Sequence, residues 1–110
     1  MNVERRIALS LLNAVWNEDL QGVKDALDMG ASPSWIFNGY PILLHAVCTK
    51  NKKIVNCLIN AGALQTREAL GFALEKGIGE MIPSLAYRGI VPKHYKARKG
   101  FGDFPQRFAY

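Results

Sequence analysis

The residue types best suited to chemistry in this 110-residue chain are two histidines, His45 and His94, and two cysteines, Cys48 and Cys57. A metal site could use His45, Cys48 and Cys57. However, only His45 and Cys48 are close in sequence, no Cys-x-x-Cys pair exists, and structural zinc normally needs four ligands. We therefore expect buried or incidental thiols and no metal.

Catalytic signatures are missing from the sequence. It contains no GxxxxGK[ST], GxSxG or HExxH motif, and its carboxylates are scattered over predicted helix surfaces. The string at 99–102, Lys-Gly-Phe-Gly, matches the opening of an RNA-recognition signature, but that signature lies on a four-stranded sheet that this chain does not predict. We predict a protein that is not an enzyme, with no catalytic residues and no cofactor.

The net charge of +5 is concentrated near the C-terminus. Residues 1–90 hold nine basic and eight acidic side chains, whereas residues 91–110 hold five basic side chains, one acidic side chain and five of the 11 aromatics. A basic surface attracts acidic partners, nucleic acid included. The candidate binding residues of this tail are Lys93, Lys96, Arg98, Lys99, Phe101, Phe104, Arg107, Phe108 and Tyr110.

The first 90 residues contain an internal repeat. The segment 46–63 aligns with the chain 32 residues earlier and 27 residues later, so that alanines, aliphatic pairs and a closing glycine coincide. Within a copy the apolar residues follow helical spacing, as in Ile54, Val55, Leu58 and Ile59. Each copy therefore predicts two antiparallel helices that end before a glycine in the left-handed conformation.

Turn and cap residues mark where these helices begin and end. Asp19 and Asn51 are placed to N-cap the second helices of the first two copies, and Pro83 must lie in the first turn of the last helix or shorten it. Asn17-Glu18, Lys50-Asn51 and Gly77-Ile78 are the predicted turns between helices.

This pattern resembles the ankyrin repeat, a unit of about 33 residues with a β-hairpin finger followed by two antiparallel helices. The middle copy has Gly39 at the finger, residues 41–44 in place of Thr-Pro-Leu-His, Ala46-Val47 in place of Ala-Ala, and a Gly62-Ala63 ending. The resemblance implies an all-α, ankyrin-like solenoid with repeats at about 3–31, 32–63 and 64–90, followed by the extension 91–110. A generic stack of helical hairpins or a small helical bundle is the alternative.

Several positions depart from the family pattern. Because the Thr-Pro-Leu-His tetrapeptide is absent, we expect its hydrogen bonds to be lost, and Glu18 and Lys50 replace the glycine between helices. The third copy is five residues closer to the second, so that we expect a single finger at 32–41 and an N-cap at Thr66.

The resemblance implies a concave surface that binds proteins, formed by the finger and the ends of the first helices. By position it contains Trp16, Asn17, Trp35, Phe37, Asn38, Tyr40, Cys48, Thr49, Glu75 and Lys76. Rigid aromatic side chains such as Trp16, Phe37 and Tyr40 suit binding hot spots. In the alternative interpretation, Trp35 and Phe37 pack between units and support the finger.

The expected function is binding of a larger protein with an acidic patch, through the concave face and the basic tail, so that this small chain would inhibit or tether its partner. Immunity proteins, bacterial effectors and phage antagonists of host systems have this size. The alternative is a nucleic-acid binder, or an antagonist of a nucleic-acid enzyme, acting through the tail. The tail either caps the last helices or acts as a binding arm, and homo-oligomer formation stays open. Without an apolar run of membrane-spanning length, and with few cysteines, we expect a cytoplasmic protein without membrane contact.

Overall fold

The computed structural model describes residues 3–86 and residue 92, so that the predictions made for the tail lie outside the described residues. The described chain is mostly helical, with one short hairpin between the second and third helices. Its elements are α1 (Val3–Trp16), α2 (Leu20–Asp28), β1 (Ile36–Phe37), β2 (Tyr40–Pro41), α3 (Ile42–Thr49), α4 (Lys52–Asn60), α5 (Thr66–Lys76), a 3₁₀ turn (Gly79–Met81) and α6 (Ile82–Leu85).

The helices form three consecutive pairs arranged in two layers. Within the pairs, α1 packs on α2, α3 on α4, and α5 on α6. Between the pairs, α3 lies between α1 and α5 in one layer, which we call the inner layer, and α4 contacts α2 and α6 in the other. The buried core runs through all three pairs, from Leu11 and Val15 through Leu44 and Leu58 to Leu85.

The glycines after α2 and α4 end these helices in the same way. Gly30 and Gly62 have φ angles of 109° and 103°, which favour glycine. The next amides complete the cap, since Ala31 donates to the Ala26 carbonyl at 3.0 Å and Ala63 to the Leu58 carbonyl at 3.1 Å. This is the Schellman arrangement, and the two alanines are buried beneath it. The repeated Gly-Ala therefore encodes a repeated helix end.

The turns inside the pairs keep a left-handed residue even where glycine is missing. Glu18, Lys50 and Gly77 have φ angles of 56°, 62° and 70°, respectively. The following residues, Asp19 and Asn51, N-cap α2 and α4 as predicted, with side-chain oxygens that accept from Gly22 N at 2.9 Å and Ile54 N at 3.1 Å. The three turns therefore share a left-handed residue, whether that residue is glycine or not.

A finger is present where the sequence predicts it. Ile36 pairs with Pro41 and Phe37 with Tyr40 in an antiparallel hairpin. Asn38 and Gly39 occupy the two-residue turn with φ angles of 53° and 85°. Positive φ at both central residues is typical of a type I′ turn, for which Asn-Gly is the preferred pair.

Two helix starts differ in detail from expectation. The prediction of an N-cap at Thr66 is wrong: α5 already includes Thr66, and Gln65 is the N-cap residue, without a side-chain cap bond. Pro83 does lie near the start of the last helix, as predicted, and α6 is short, with only four residues. A 3₁₀ turn leads into α6 and buries Met81, so that the start of the predicted last helix is wound more tightly.

None of the helices within residues 3–86 combines the length and the apolar character needed to cross a membrane.

Candidate functional site

Side chains from all three pairs meet along the inner layer. Trp16 at the end of α1 contacts α3, Tyr40 of the finger makes an edge contact with Phe72 of α5 at 6.4 Å between ring centroids, and the Lys76 ammonium lies 5.8 Å from the Phe72 centroid. The Lys76 ammonium is close enough to Cys48 on α3 to lower the pKa of its thiol. We call Trp16, Tyr40, Cys48, Phe72 and Lys76 the inner-layer row.

His45 lies behind this row and connects it to the finger. The indole N–H of Trp16 donates to His45 Nδ1 at 3.0 Å, and His45 Nε2 is 2.9 Å from the carbonyl oxygen of Phe37. Both aromatic rings also meet the imidazole edge to face, at 5.8 and 6.1 Å between centroids. From α3, His45 thus bonds to both α1 and the finger.

The imidazole of His45 is held neutral by its surroundings. It is fully buried, and this burial lowers the pKa below its usual 6.5, against the raising effect of hydrogen bonds to the backbone of Phe37 and Tyr40. Desolvation penalises the charged ring because no water solvates it. A neutral ring with a proton on Nε2 satisfies both observed bonds.

The expectation that Phe37 is an exposed anchor is wrong. Its ring is 5% exposed and packs against His45, so that it supports the finger from below. Trp35 and Asn38 are half-buried at the base and tip of the finger. For Phe37 the structure thus follows the alternative interpretation, since alternate residues of a strand face opposite sides and Ile36 takes the exposed side.

Trp16 and Tyr40 are half-buried, and Lys76 is exposed. The half-buried side chains of Trp16 and Tyr40 expose part of their surface to solvent, while their packed part fixes their orientation. Asn17 and Glu75 are also exposed, at the ends of α1 and α5. Of the residues expected on the concave surface, the observed contacts connect Trp16 to α3, Tyr40 to Lys76 through Phe72, and Cys48 to Lys76.

Thr49, another predicted binding residue, has a structural role in the turn after α3. Its hydroxyl donates to the Ala46 carbonyl at 2.7 Å and accepts from the Asn51 amide at 3.3 Å. The hydroxyl thereby bridges the Ala46 carbonyl and the Asn51 amide. The corresponding carbonyl and amide bond directly to each other at the helix ends marked by Gly30 and Gly62. This turn therefore satisfies its backbone groups through a side chain.

The two thiols are poor nucleophiles. Burial raises the pKa of Cys48 to about 12, in spite of the lowering effect of Lys76, and burial also raises the pKa of Cys57. Thiolate is the reactive form of cysteine, so that a raised pKa lowers the reactive fraction of both thiols at neutral pH. In the described part of the chain no three His, Cys, Asp or Glu side chains are grouped as a metal site.

Two open clefts lie outside the inner-layer row. One, of about 370 Å³, separates the first half of α1 from the finger, with Ala8, Leu9 and Trp35 among its lining residues. The other, of about 380 Å³, lies between α4 and α6, beside Ile59 and Pro83. Both clefts are open to solvent.

Sequence reasoning missed His45 as a structural residue and Phe72 as part of the row. His45 had a detectable signal, because it is the only polar residue in the apolar run 41–47. Phe72 had none beyond its helical spacing to Lys76, since its contact with Tyr40 depends on how α5 packs against the finger.

Comparison of the chain with protein-family models, with curated proteins and with solved structures finds no match. The ankyrin resemblance therefore stays a prediction from the sequence pattern.

Proposed function

We propose that the chain is an ankyrin-like module of three repeats, without enzymatic activity, that binds a larger protein through its inner layer and thereby inhibits or tethers it. The observation that carries this proposal is the inner-layer row: half-buried side chains of Trp16, Tyr40 and Cys48 and the exposed Lys76 accompany the buried ring of Phe72 across three helix pairs and the finger. A surface of this kind suits recognition of another macromolecule.

The arrangement of elements supports the solenoid part of the proposal. Each pair packs mainly on its neighbours, α3 and α4 being the central helices of the two layers. The finger precedes the middle pair, as an ankyrin unit requires, and the same helix end recurs at Gly30 and Gly62. In such a stack, every unit buries its apolar face against the next one.

The chemistry of the row supports protein binding. Tryptophan and tyrosine are enriched at binding hot spots because they bury large areas with few rotatable bonds. Trp16 is oriented by His45, and Tyr40 by Phe72. Lys76 adds a positive charge at the α5 end of the row, and the basic residues of the tail favour an acidic patch on the partner.

Alanine substitution tests the proposal directly. The partner is first isolated from the native source with the wild-type chain and identified by mass spectrometry, and its affinity is then measured by calorimetry. We expect Trp16→Ala and Tyr40→Ala each to weaken binding by about 2 kcal/mol, or roughly thirtyfold, as hot-spot residues do.

Met29→Ala is the matched control, because Met29 is a large apolar residue, 65% exposed, at the end of α2 and away from the row. Circular dichroism shows whether each variant keeps its helices. Full affinity in folded Trp16→Ala and Tyr40→Ala would reject the inner layer as the binding surface.

The tail favours a second candidate function, nucleic-acid binding. Five basic residues and five aromatics within 20 residues can contact phosphates and stack on bases. This function predicts binding to single-stranded DNA or RNA that weakens steeply with salt and disappears when residues 92–110 are deleted. Absent or salt-independent binding would rule it out.

A further inference from the structure

His45 is the one polar or charged residue in the described ranges, 3–86 and 92, that is fully buried. Both of its ring nitrogens take part in bonds to different elements: Trp16 belongs to α1, and Phe37 belongs to β1. The imidazole therefore joins the first helix, the finger and its own helix α3 at a single point.

These two bonds fix the state of the ring. An indole N–H can only donate, so that Nδ1 of His45 must accept and carry no proton. A backbone carbonyl can only accept, so that Nε2 must carry the proton and donate to Phe37. The structure thus requires the neutral Nε2–H tautomer.

A second proton on this ring would break the arrangement. It would add to Nδ1, and two N–H donors would then face each other at the 3.0 Å now occupied by the Trp16 bond. The groups in contact with the ring include the indole of Trp16, the backbone and ring of Phe37, and the backbone of Tyr40. The Lys76 ammonium, which acts on Cys48 of the same helix, cannot compensate an imidazolium.

The finger is the element best able to respond to this conflict. Its strands have two residues each, and an isolated two-stranded hairpin is marginally stable. Besides its own pairing, its anchors include the His45–Phe37 bond, a bond from the Ile42 amide to the Trp35 carbonyl at 2.8 Å, and the Tyr40–Phe72 ring contact. A short hairpin opens at lower free energy than the helical core, so that a change at one of its anchors affects it first.

We propose that His45 is a proton-sensitive latch, which holds Trp16 and the finger together when neutral and releases them when it becomes an imidazolium. Release exposes the ring of Phe37 and frees the indole of Trp16, while the helix pairs stay stacked. The latch is a property of the fold alone. Its consequence for binding, that acid removes two elements from the inner-layer row, rests on the function proposed above.

The wild-type chain tests the latch without any partner. In the open state His45 is solvated and titrates near its ordinary pKa of about 6.5. Below that pH, opening should therefore increase by up to about tenfold per pH unit, the slope for one proton. We expect the hydrogen-exchange protection of the Trp16 indole N–H, measured by NMR, to fall with this slope, while the α4 backbone amides stay protected.

Two substitutions assign the effect to the correct histidine. Glutamine at position 45 can accept from Trp16 and donate to Phe37 but does not titrate, so that His45→Gln should keep indole protection constant from pH 7 to pH 5. His94→Gln is the matched control, because His94 is the other histidine of the chain, and it should behave like the wild type.

Four results would overturn the latch. The first is loss of indole and α4 protection together, which means global unfolding. The second is an unchanged acid response in folded His45→Gln. The other two come from NMR of the wild-type imidazole: a titration midpoint separate from the Trp16 indole change, or a proton on Nδ1 at pH 7. Failure of partner binding would contradict the proposed function and leave these intramolecular readouts unaffected.

Discussion

Glu18 and Lys50 have backbone conformations that glycine adopts at lower cost. A left-handed conformation costs an L-residue with a Cβ atom roughly 1–2 kcal/mol, and these two residues bear that cost at the turns after α1 and α3. At the corresponding turn after α5, Gly77 avoids it. The first two turns therefore contain strain that substitution can remove.

Lys50→Gly should raise the free energy of unfolding by about 1 kcal/mol, because it relieves this strain at an exposed side chain. Urea unfolding measures the change. The matched control is Ala61→Gly, at the C-cap of α4, where φ is −80° and glycine has no advantage. That variant should lose up to about 1 kcal/mol. Equal effects of the two substitutions would contradict the strain at residue 50.

Acid should destabilise the fold through His45. Because burial lowers its folded-state pKa below 6.5, the unfolded chain binds the proton more readily. The stability that His45 provides is therefore complete above pH 6.5 and is lost as the pH falls from there towards the folded-state pKa. The slope for one proton is at most about 1.4 kcal/mol per pH unit. Unfolding curves of wild type and His45→Gln should diverge below pH 6.5, and parallel curves would contradict this assignment.

At the scale of the helix, side-chain caps distinguish the starts of α2 and α4 from that of α5. Asp19→Ala and Asn51→Ala should each cost about 1 kcal/mol of unfolding free energy, because each removes an observed N-cap bond. Thr66→Ala should be nearly neutral, since Thr66 lies inside α5 and Gln65 forms no side-chain cap bond. Thermal unfolding measures all three. If Thr66→Ala lost as much unfolding free energy as Asn51→Ala, Thr66 would be the N-cap residue, as the sequence predicted.

Local signals predicted these elements to different degrees. The caps at Asp19 and Asn51 and the glycine ends followed from residue type, because their bonds lie within a few residues along the chain. The bridge made by Thr49 could not be predicted, since it depends on the angle at which the chain leaves α3. The burial of Phe37 likewise depends on how the finger lies against α3.

Of the three described helix pairs, only the middle pair, α3 and α4, has a neighbouring pair on both sides. Leu58 in α4 and Leu85 in α6 are both fully buried leucines. However, α4 contacts helices of three pairs, whereas α6 contacts α5, the adjoining 3₁₀ turn and α4. Truncation of Leu58 should consequently destabilise all three pairs, whereas truncation of Leu85 should destabilise only the last pair.

Leu58→Ala should lower the free energy of unfolding by about 2–5 kcal/mol and accelerate amide exchange in all helices. Leu85→Ala is the matched variant, and it should accelerate exchange in α6 and the end of α5, leaving α1 to α3 protected. Exchange that rises uniformly in both variants would mean that the three pairs unfold as one indivisible unit.

The candidate site required information from this larger scale. The sequence placed Trp16, Cys48 and Lys76 at the ends of first helices and Tyr40 on the finger, and contacts in the inner layer connect Trp16 to α3 and the other three to one another through Phe72 and Lys76. It could not show that His45 stands behind the row or that Phe72 completes it, because both depend on contacts between pairs.

Site-specific photo-crosslinking in the native source tests whether the inner layer is the recognition surface. A photoreactive phenylalanine analogue replaces Tyr40 or Lys76 in the inner layer, or Lys24 in α2 or Asn56 in α4, which lie in the other, outer layer. All four variants are made in the 110-residue chain. We predict that the inner positions yield one discrete protein adduct that Trp16→Ala abolishes, and that the outer positions yield none. An adduct formed from the outer positions alone would contradict recognition through the inner layer.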